Sequence, residues 1–304
     1  MENRENKEYR QLILFYFAVF IFFGIMLTIG TFYDETIEVA VYSPNNILAK
    51  IVTSTGAYPF FAFAVLFIGA LCETIIRSKW KKPVKVILCI PFYLIATFVG
   101  FIGAGALVDR DCLGGIFPVL NRNIPVMVGI SLISIPLLLV LGHRLAGKTK
   151  DRLLARRIVC LLIILACSYA VMQMCKGTFQ RPRYRLVVLG YDGIAFEPWY
   201  APFHGAEGLI ANFGVDKGDF RSFPSGHSIL SMSVIFILQS LTWFSAKLKN
   251  RKFILGVIGF LFAVTIMFTR MVLGAHYLSD VSAGAMISTV FACIYTVVTR
   301  KEVL

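Results

Sequence analysis

Residues 253–298 read FILGVIGFLFAVTIMFTRMV, LGAHYLSD and VSAGAMISTVFACIYTVV in succession. The first and third pieces are close to the roughly 20 apolar residues with which an α-helix crosses a bilayer core. The piece between them is short and polar and carries a histidine and an aspartate. Working outward, apolar runs of the same kind fall at about 11–31, 54–76, 84–108, 124–143, 154–175, 225–246, 253–272 and 277–299. Composition agrees: 58% of the 304 residues are hydrophobic and the mean hydropathy is +0.76, against roughly 45–50% apolar residues in a soluble domain. The expected fold is all-α, a polytopic membrane protein with about eight transmembrane helices.

The first run follows Arg4, Lys7 and Arg10, as the core of a signal peptide would. Its apolar stretch is too long for one, and it continues into Thr31-Phe32-Tyr33-Asp34-Glu35 without a small-residue cleavage pattern. It is expected to be a retained span. No internal repeat or low-complexity segment is present. The seven cysteines are odd in number, and Cys72, Cys89, Cys160, Cys167 and Cys293 lie inside apolar runs. That is the distribution of small buried residues rather than of a disulfide framework or a zinc site. Only Cys112 and Cys175 fall where a pairing near one membrane face is open to question.

A net charge of +13 does not point to nucleic acid. The cations stand in short clusters between apolar runs, where membrane topology places them. With the N-terminus cytoplasmic and sides alternating, the inner segments hold three Lys/Arg before the first run, five in 77–85, six in 144–157, four in 247–252 and two at 300–301, two thirds of the 30. The outer ones are Lys50, Arg110, Arg122, Lys176, Arg181, Arg183, Arg185, Lys217, Arg221 and Arg270. The inverted orientation would put the heavy clusters outside. A multi-pass protein of the cell membrane with both termini cytoplasmic is therefore expected.

Three motifs follow the fifth run. KGTFQRPRY holds Lys176 and Arg183, FPSGHS holds Ser225, Gly226 and His227, and TRMVLGAHYLSD holds Arg270, His276 and Asp280. With alternating spans, all three meet at one membrane surface, the outer one. Phosphate is an anion whose transfer spreads charge over three equatorial oxygens, so fixed cationic donors suit it. Lys176, Arg183 and Arg270 supply them. If the first motif is helical, its spacing puts Lys176 and Arg183 on one face, although Pro182 disfavours helical geometry at the residue before it. Ser225 and Gly226 stand just before the sixth run, where free N–H groups of a helix start form an anion site. His276 and Asp280, four apart at the head of the last run, are expected to share a helix face.

The three motifs resemble the signature of the type 2 phosphatidic acid phosphatase (PAP2) superfamily: Lys-x6-Arg-Pro, Pro-Ser-Gly-His and Ser-Arg-x5-His-x3-Asp. Two positions depart from it, since Tyr184 stands at the proline and Thr269 at the serine. Arg181-Pro182 is also an Arg-Pro pair, but it stands too close to Lys176, and Arg183 is read as the family arginine. The resemblance implies a lipid phosphatase in which His276 attacks phosphorus, Asp280 orients it and His227 protonates the leaving oxygen. Lys176, Arg183, Ser225, Gly226 and Arg270 would bind the phosphate, with no metal or cofactor. The implied substrates are phosphatidic acid, phosphatidylglycerol phosphate or an undecaprenyl pyrophosphate, presented among membrane lipids. A phosphotransferase is the alternative enzyme; a non-catalytic lipid-phosphate binder or transporter would need no nucleophile or acid. A vanadate-dependent oxidase shares the signature but not eight embedded spans.

Residues 1–150, with about four spans, are read as N-terminal helices. Residues 151–304 are read as a PAP2-like helical catalytic core with an outer loop over 184–223. Relatives of the lipid phosphatase type usually have three spans before the first motif. Here there are five, so two are additional. Plainer readings apply elsewhere: His143 is structural or solvated, His204 lies in the outer loop, and Arg181, Arg185 and Arg221 sit among headgroups. Glu73 and Arg77 form a snorkelling ion pair, and Trp80, Trp199 and Trp243 are interfacial aromatics.

Overall fold

The computed structural model describes residues 2–149 and 151–300, leaving aside the side chains of residues 2–5 and of Ala246. Lys150 and Lys301, counted in the basic clusters, and the last residues of the expected core lie outside this description. Every regular element among the described residues is helical. Eight long helices form the body: α1 Glu2–Val41, α2 Ile47–Ile76, α3 Lys82–Leu107, α4 Ile124–Lys148, α5 Leu154–Phe179, α6 Gly226–Ser240, α7 Lys252–Val272 and α8 Leu278–Val298. Eight helical segments are long and apolar enough to cross a membrane, and the protein is a polytopic helical membrane protein.

Each expected run falls on one of these helices, with two differences. The helix of α6 ends at Ser240 and tightens into a 3-10 turn over Leu241–Trp243. The first run stops at the acidic residues after Thr31, whereas α1 continues to Val41. At 1.5 Å per residue, its 40 residues give a rod about 60 Å long. Asp34 and Glu38, one turn apart on this extension, are buried at 2% and 0% exposure. Acids end a hydropathy window, yet the helix persists because its acidic face turns inward, onto the start of α8.

Helix α6 is the axis, since 83% of its apolar window is buried, against 11% for α4. It packs on α7 and α8; α1 runs along α8, and α2 touches α5, α6 and α7. Helices α3 and α4 form a hairpin that packs on α2 and on itself, so this pair is the peripheral one. The α2–α4 crossing is close because glycines line it. A Cβ at Gly142 would lie 2.0 Å from the carbonyl oxygen of Leu66, and one at Gly69 2.4 Å from that of Leu139.

Long-range hydrogen bonds mark the two ends. At one, Arg300 donates to Asn6, Lys252 N–H to Glu8, and Thr149 to the Trp243 carbonyl. At the other, Ser43 N–H reaches Val272 O, Arg185 N–H reaches Gly274 O, and Lys50 reaches Gly115 O. Two expectations change at the first end. Glu73 pairs with His143 Nδ1 at 3.1 Å rather than with Arg77, while His143 Nε2 meets the Tyr93 hydroxyl. Arg77 instead donates to the carbonyls of Ala146, Gly147 and Thr149 at the end of α4. Trp243 is buried against Phe67 and Tyr295 rather than interfacial, whereas Trp80 is exposed.

Gly142→Val places two methyl groups where backbone already stands. It is expected to lower the stability of the detergent-solubilised protein by about 1–3 kcal/mol, read as a fall in thermal midpoint. An unchanged midpoint would mean that the α2–α4 crossing is looser than described.

Candidate active site

The first motif is not one helix. Helix α5 ends at Phe179, Gln180 caps it in the left-handed region with φ 45°, and Arg183 is extended before a short helix over Tyr184–Val187. Lys176 therefore lies on the last turn of α5 and Arg183 beyond its end. Both meet the return of the following segment, Lys176 at Arg221 O and Arg183 N–H at Asp219 O, rather than sharing a helical face. Lys176 Nζ donates to Arg221 O at 3.0 Å. Tyr184 opens the short helix and packs edge-on against Tyr42 and Tyr277.

The segment after it folds as a small body. Leu186, Ile194, Ala206 and Phe220 make its core, and Trp199 stacks on Phe223 while donating to Thr31 of α1. Its return pairs with the first motif: Arg183 N–H donates to Asp219 O, and Ser222 N–H to Arg181 O. A cavity of about 220 Å³ opens beside Lys176, between Gln180, Ile210, Lys217 and Arg221. His204 is exposed on this segment.

Ser225 is the N-cap of α6, its hydroxyl accepting from Ser228 N–H at 3.3 Å, so the first N–H groups of α6 have no helical partner. A Cβ on Gly226 would sit 3.1 Å from Lys176 Cε and 2.9 Å from Met172 Sδ. Glycine thus lets Lys176 lie against the helix start. Arg270 ends α7 with its guanidinium at the same place, 1% exposed. Thr269, at the expected serine, accepts from Thr53 and donates to Ile266 O.

Asp111, on the connection between α3 and α4, completes this cluster. Its carboxylate accepts from Arg270 Nη2 at 2.7 Å, from Arg183 Nη1 at 3.3 Å and from Arg185 Nη1. Burial alone would raise its pKa, but Arg270, Arg185 and Arg183 outweigh that and hold it well below the usual carboxylate range. Several nitrogens remain buried without a hydrogen-bond partner: the donors Arg183 Nε, Arg270 Nε and Nη1 and Arg185 Nη2, and the ring nitrogen His227 Nε2. Buried donors left unpaired are rare and costly, and the arginine donors gathered at one place have the geometry to receive an oxygen-rich anion.

His276 lies before α8, which starts at Leu278, so it does not share a helix face with Asp280. Its Nδ1 is 2.7 Å from the carbonyl oxygen of Ser222 and 3.8 Å from Asp280 Oδ2. A carbonyl only accepts, so the proton is on Nδ1 and the lone pair on Nε2. Burial, followed by Arg183, Lys176 and Arg270, holds the imidazole well below the ordinary histidine range, against the opposing pull of Asp280. Asp280 accepts from Ser222 Oγ, from Tyr277 N–H at 2.8 Å and from Arg181 Nη1 at 2.6 Å.

Arg181 is no headgroup-level residue. It is 1% exposed and every nitrogen is engaged: Nε with Glu197 O, Nη1 with Ser279 Oγ and Asp280, and Nη2 with Asp34 at 3.0 Å. Its guanidinium carbon lies 4.1 Å from the Tyr277 ring centroid. Arg185 is likewise paired, with Asp111 and Asp219, and Arg221 donates to Gln173. Sequence reasoning missed Asp34, Asp111 and Ser222. The acids after the first run were a usable signal, because ionisable groups at the edge of a span are seldom idle. Cys112 and Cys175 are free thiols. Among the described residues no group of three His, Cys, Asp or Glu is placed to hold a metal ion.

Residues 157–303 match the family model of the PAP2 superfamily. That span takes in nearly all of α5 and the whole of α6, α7 and α8, but neither Asp34 nor Asp111. No curated protein and no solved structure matches the chain.

Arg181→Ala would leave Asp34 and Asp280 buried and unneutralised. A loss of about 3–5 kcal/mol is expected, measured by thermal or denaturant unfolding in detergent, with partial recovery in Arg181→Lys, which keeps the charge without the fork. A change below about 1 kcal/mol would contradict a buried clamp.

Proposed function

The chain belongs to the PAP2 superfamily through residues 157–303, and from that premise we propose that it is a phosphatase of lipid phosphates, acting through a phosphohistidine. Family membership itself gives phosphatase or phosphotransferase chemistry on a phosphate substrate. The observation that carries the finer reading is His276, its Nδ1–H held by Ser222 O and its Nε2 left free, in a cluster of buried arginines with unpaired donors.

In this reading Lys176, Arg183, Arg270 and the N–H groups at Gly226 and His227 hold the three phosphoryl oxygens, where charge grows in the transition state. His276 Nε2 attacks phosphorus in line, forming a P–N bond as the P–O bond to the leaving group breaks. His227 gives that oxygen a proton, then takes one from the water that hydrolyses the P–N bond. Asp280 orients His276 and balances its charge, with Arg181 fixing Asp280. The apolar surround suits a substrate whose tail stays in lipid, such as phosphatidic acid, phosphatidylglycerol phosphate or an undecaprenyl pyrophosphate. An acceptor other than water would make the same site a phosphotransferase.

The site end is assigned to the extracytoplasmic face. The opposite end carries the basic segments 77–85, 144–157 and 247–252, as cytoplasmic segments do.

Two tests follow. With EDTA present, wild-type protein should release phosphate from a panel of lipid phosphates, vanadate should inhibit, and acid quenching should trap label on His276. His276→Ala should lose at least about 1,000-fold in kcat while remaining folded. Retention of more than a few per cent of activity would remove His276 from the mechanism, and loss on chelation with rescue by magnesium would remove its metal-free form. For sidedness, with native cysteines replaced, Gly208→Cys should react with an impermeant maleimide on intact cells and Lys148→Cys only after permeabilisation. The reverse pattern moves the substrate pool to the cytoplasmic leaflet.

A further inference from the structure

The α3–α4 hairpin packs outside the bundle and carries none of the three motifs. Its connection nevertheless enters the cation cluster. Asp111 is 5% exposed and sits on Arg183 and Arg270, the two arginines read above as phosphate ligands. The connection is held there from its flanks, by Arg110 to Asp219, by Arg122 to Asp216 at 3.1 Å, and by Lys50 to Gly115 O. A carboxylate therefore already occupies one donor of each of these arginines.

Taking the cluster as a phosphate site, as in the functional reading, we propose that Asp111 is a specificity-determining residue. It is a tethered internal anion that yields the arginines to a dianionic terminal phosphate and not to a monoanionic phosphodiester. A bilayer surface presents phosphodiester monoanions at high density, and an uncovered cluster of cations would draw them in. Exchange of Asp111 for a phosphodiester swaps one unit charge for another and gains no Coulomb energy. The tether adds a high effective concentration in favour of Asp111. A terminal phosphate brings a second charge, and its three oxygens can reach donors that Asp111 leaves unpartnered, Arg183 Nε and Arg270 Nε and Nη1. Charge and donor number thus both favour the dianion.

Release by protonation is not the route. Burial pushes the Asp111 carboxyl up, but Arg270, Arg185 and Arg183 hold it well below the usual range, so only another anion displaces it. Space for the displaced carboxylate adjoins it, in a cavity of about 210 Å³ lined by Pro44, Lys50, Arg110, Arg185 and Leu273. Lys50 and Arg110 there offer new cationic partners.

The test compares wild type, Asp111→Asn and, as a control on the same connection, Asp109→Asn. Binding of inorganic phosphate and of vanadate is read by thermal shift in detergent, which needs no turnover. Hydrolysis of a lipid phosphomonoester is read in mixed micelles with increasing phosphatidylglycerol, a phosphodiester. Asp111→Asn should bind both anions roughly tenfold tighter or more and should become inhibited by phosphatidylglycerol, which should leave wild type unaffected. Asp109→Asn should stay within about twofold of wild type. Weaker or unchanged anion binding by Asp111→Asn would overturn the proposal and leave Asp111 as a residue that merely positions the arginines.

If Asp111→Asn does not fold, a chain with Cys112 as its only cysteine gives the answer. Cys112 is buried, and burial pushes its thiol up to about 12, so it should be inert at rest. Vanadate should speed its alkylation if Asp111 withdraws, and an unchanged or slower rate would sink the idea. A wild type that binds phosphate but turns over no lipid phosphate would defeat the functional reading alone.

Discussion

Five cations, Lys176, Arg181, Arg183, Arg185 and Arg270, are gathered at one end of a helical bundle, and all but two are 8% exposed or less, with Arg183 and Arg185 side chains at 11% and 15%. Charges so placed are tolerated only when paired and hydrogen-bonded. For the four arginines the rest of the architecture answers that requirement, while Lys176 rests on the Arg221 carbonyl. Asp34 comes from the extension of α1, Asp111 from the α3–α4 connection, Asp219 from the folded segment before α6, and Asp280 from the first turn of α8. Four parts of the chain are pinned to one another by the need to neutralise one cluster.

The pairing is uneven, and the unevenness separates two roles. Arg181 has every nitrogen engaged and is packed against Tyr277. It is a clamp, and nothing remains on it for a ligand. Arg270 commits Nη2 to Asp111 and keeps Nε and Nη1 unpaired. Arg183 likewise keeps Nε. Hydrogen-bond satisfaction thus leaves Arg183, rather than its neighbour Arg181, with a donor free for a ligand. Counting residues from Lys176 leads to the same choice, but it leaves Arg181 without a purpose.

The family match ends short of the residues that complete the site. Asp34 holds Arg181 and also accepts from Ser279 N–H at the start of α8, so the position of Asp280 depends on the first helix. Asp111 depends on a peripheral hairpin. The N-terminal helices are therefore wired into the site and do not simply surround it. Ser222 shows the same thing at short range: its carbonyl fixes the His276 tautomer while its hydroxyl holds Asp280.

The sequence alone determined the number and order of the spans. A helix in lipid satisfies its own backbone, so each apolar run of sufficient length is a complete local statement. The family was legible too, since three motifs in fixed order resemble its signature and residues 157–303 match its model. Tertiary structure alone decided which charge faces which. The Lys176–Arg183 spacing looked helical and is broken by the helix end at Phe179 and Gln180; His276 and Asp280 looked like one helix face and meet through Ser222. Arg181 reaches Asp34 across 147 residues and Arg270 reaches Asp111 across 159. Coulomb attraction and hydrogen bonding act between groups that are close in space, and no local pattern in the chain records which distant carboxylate the fold will bring to a given arginine.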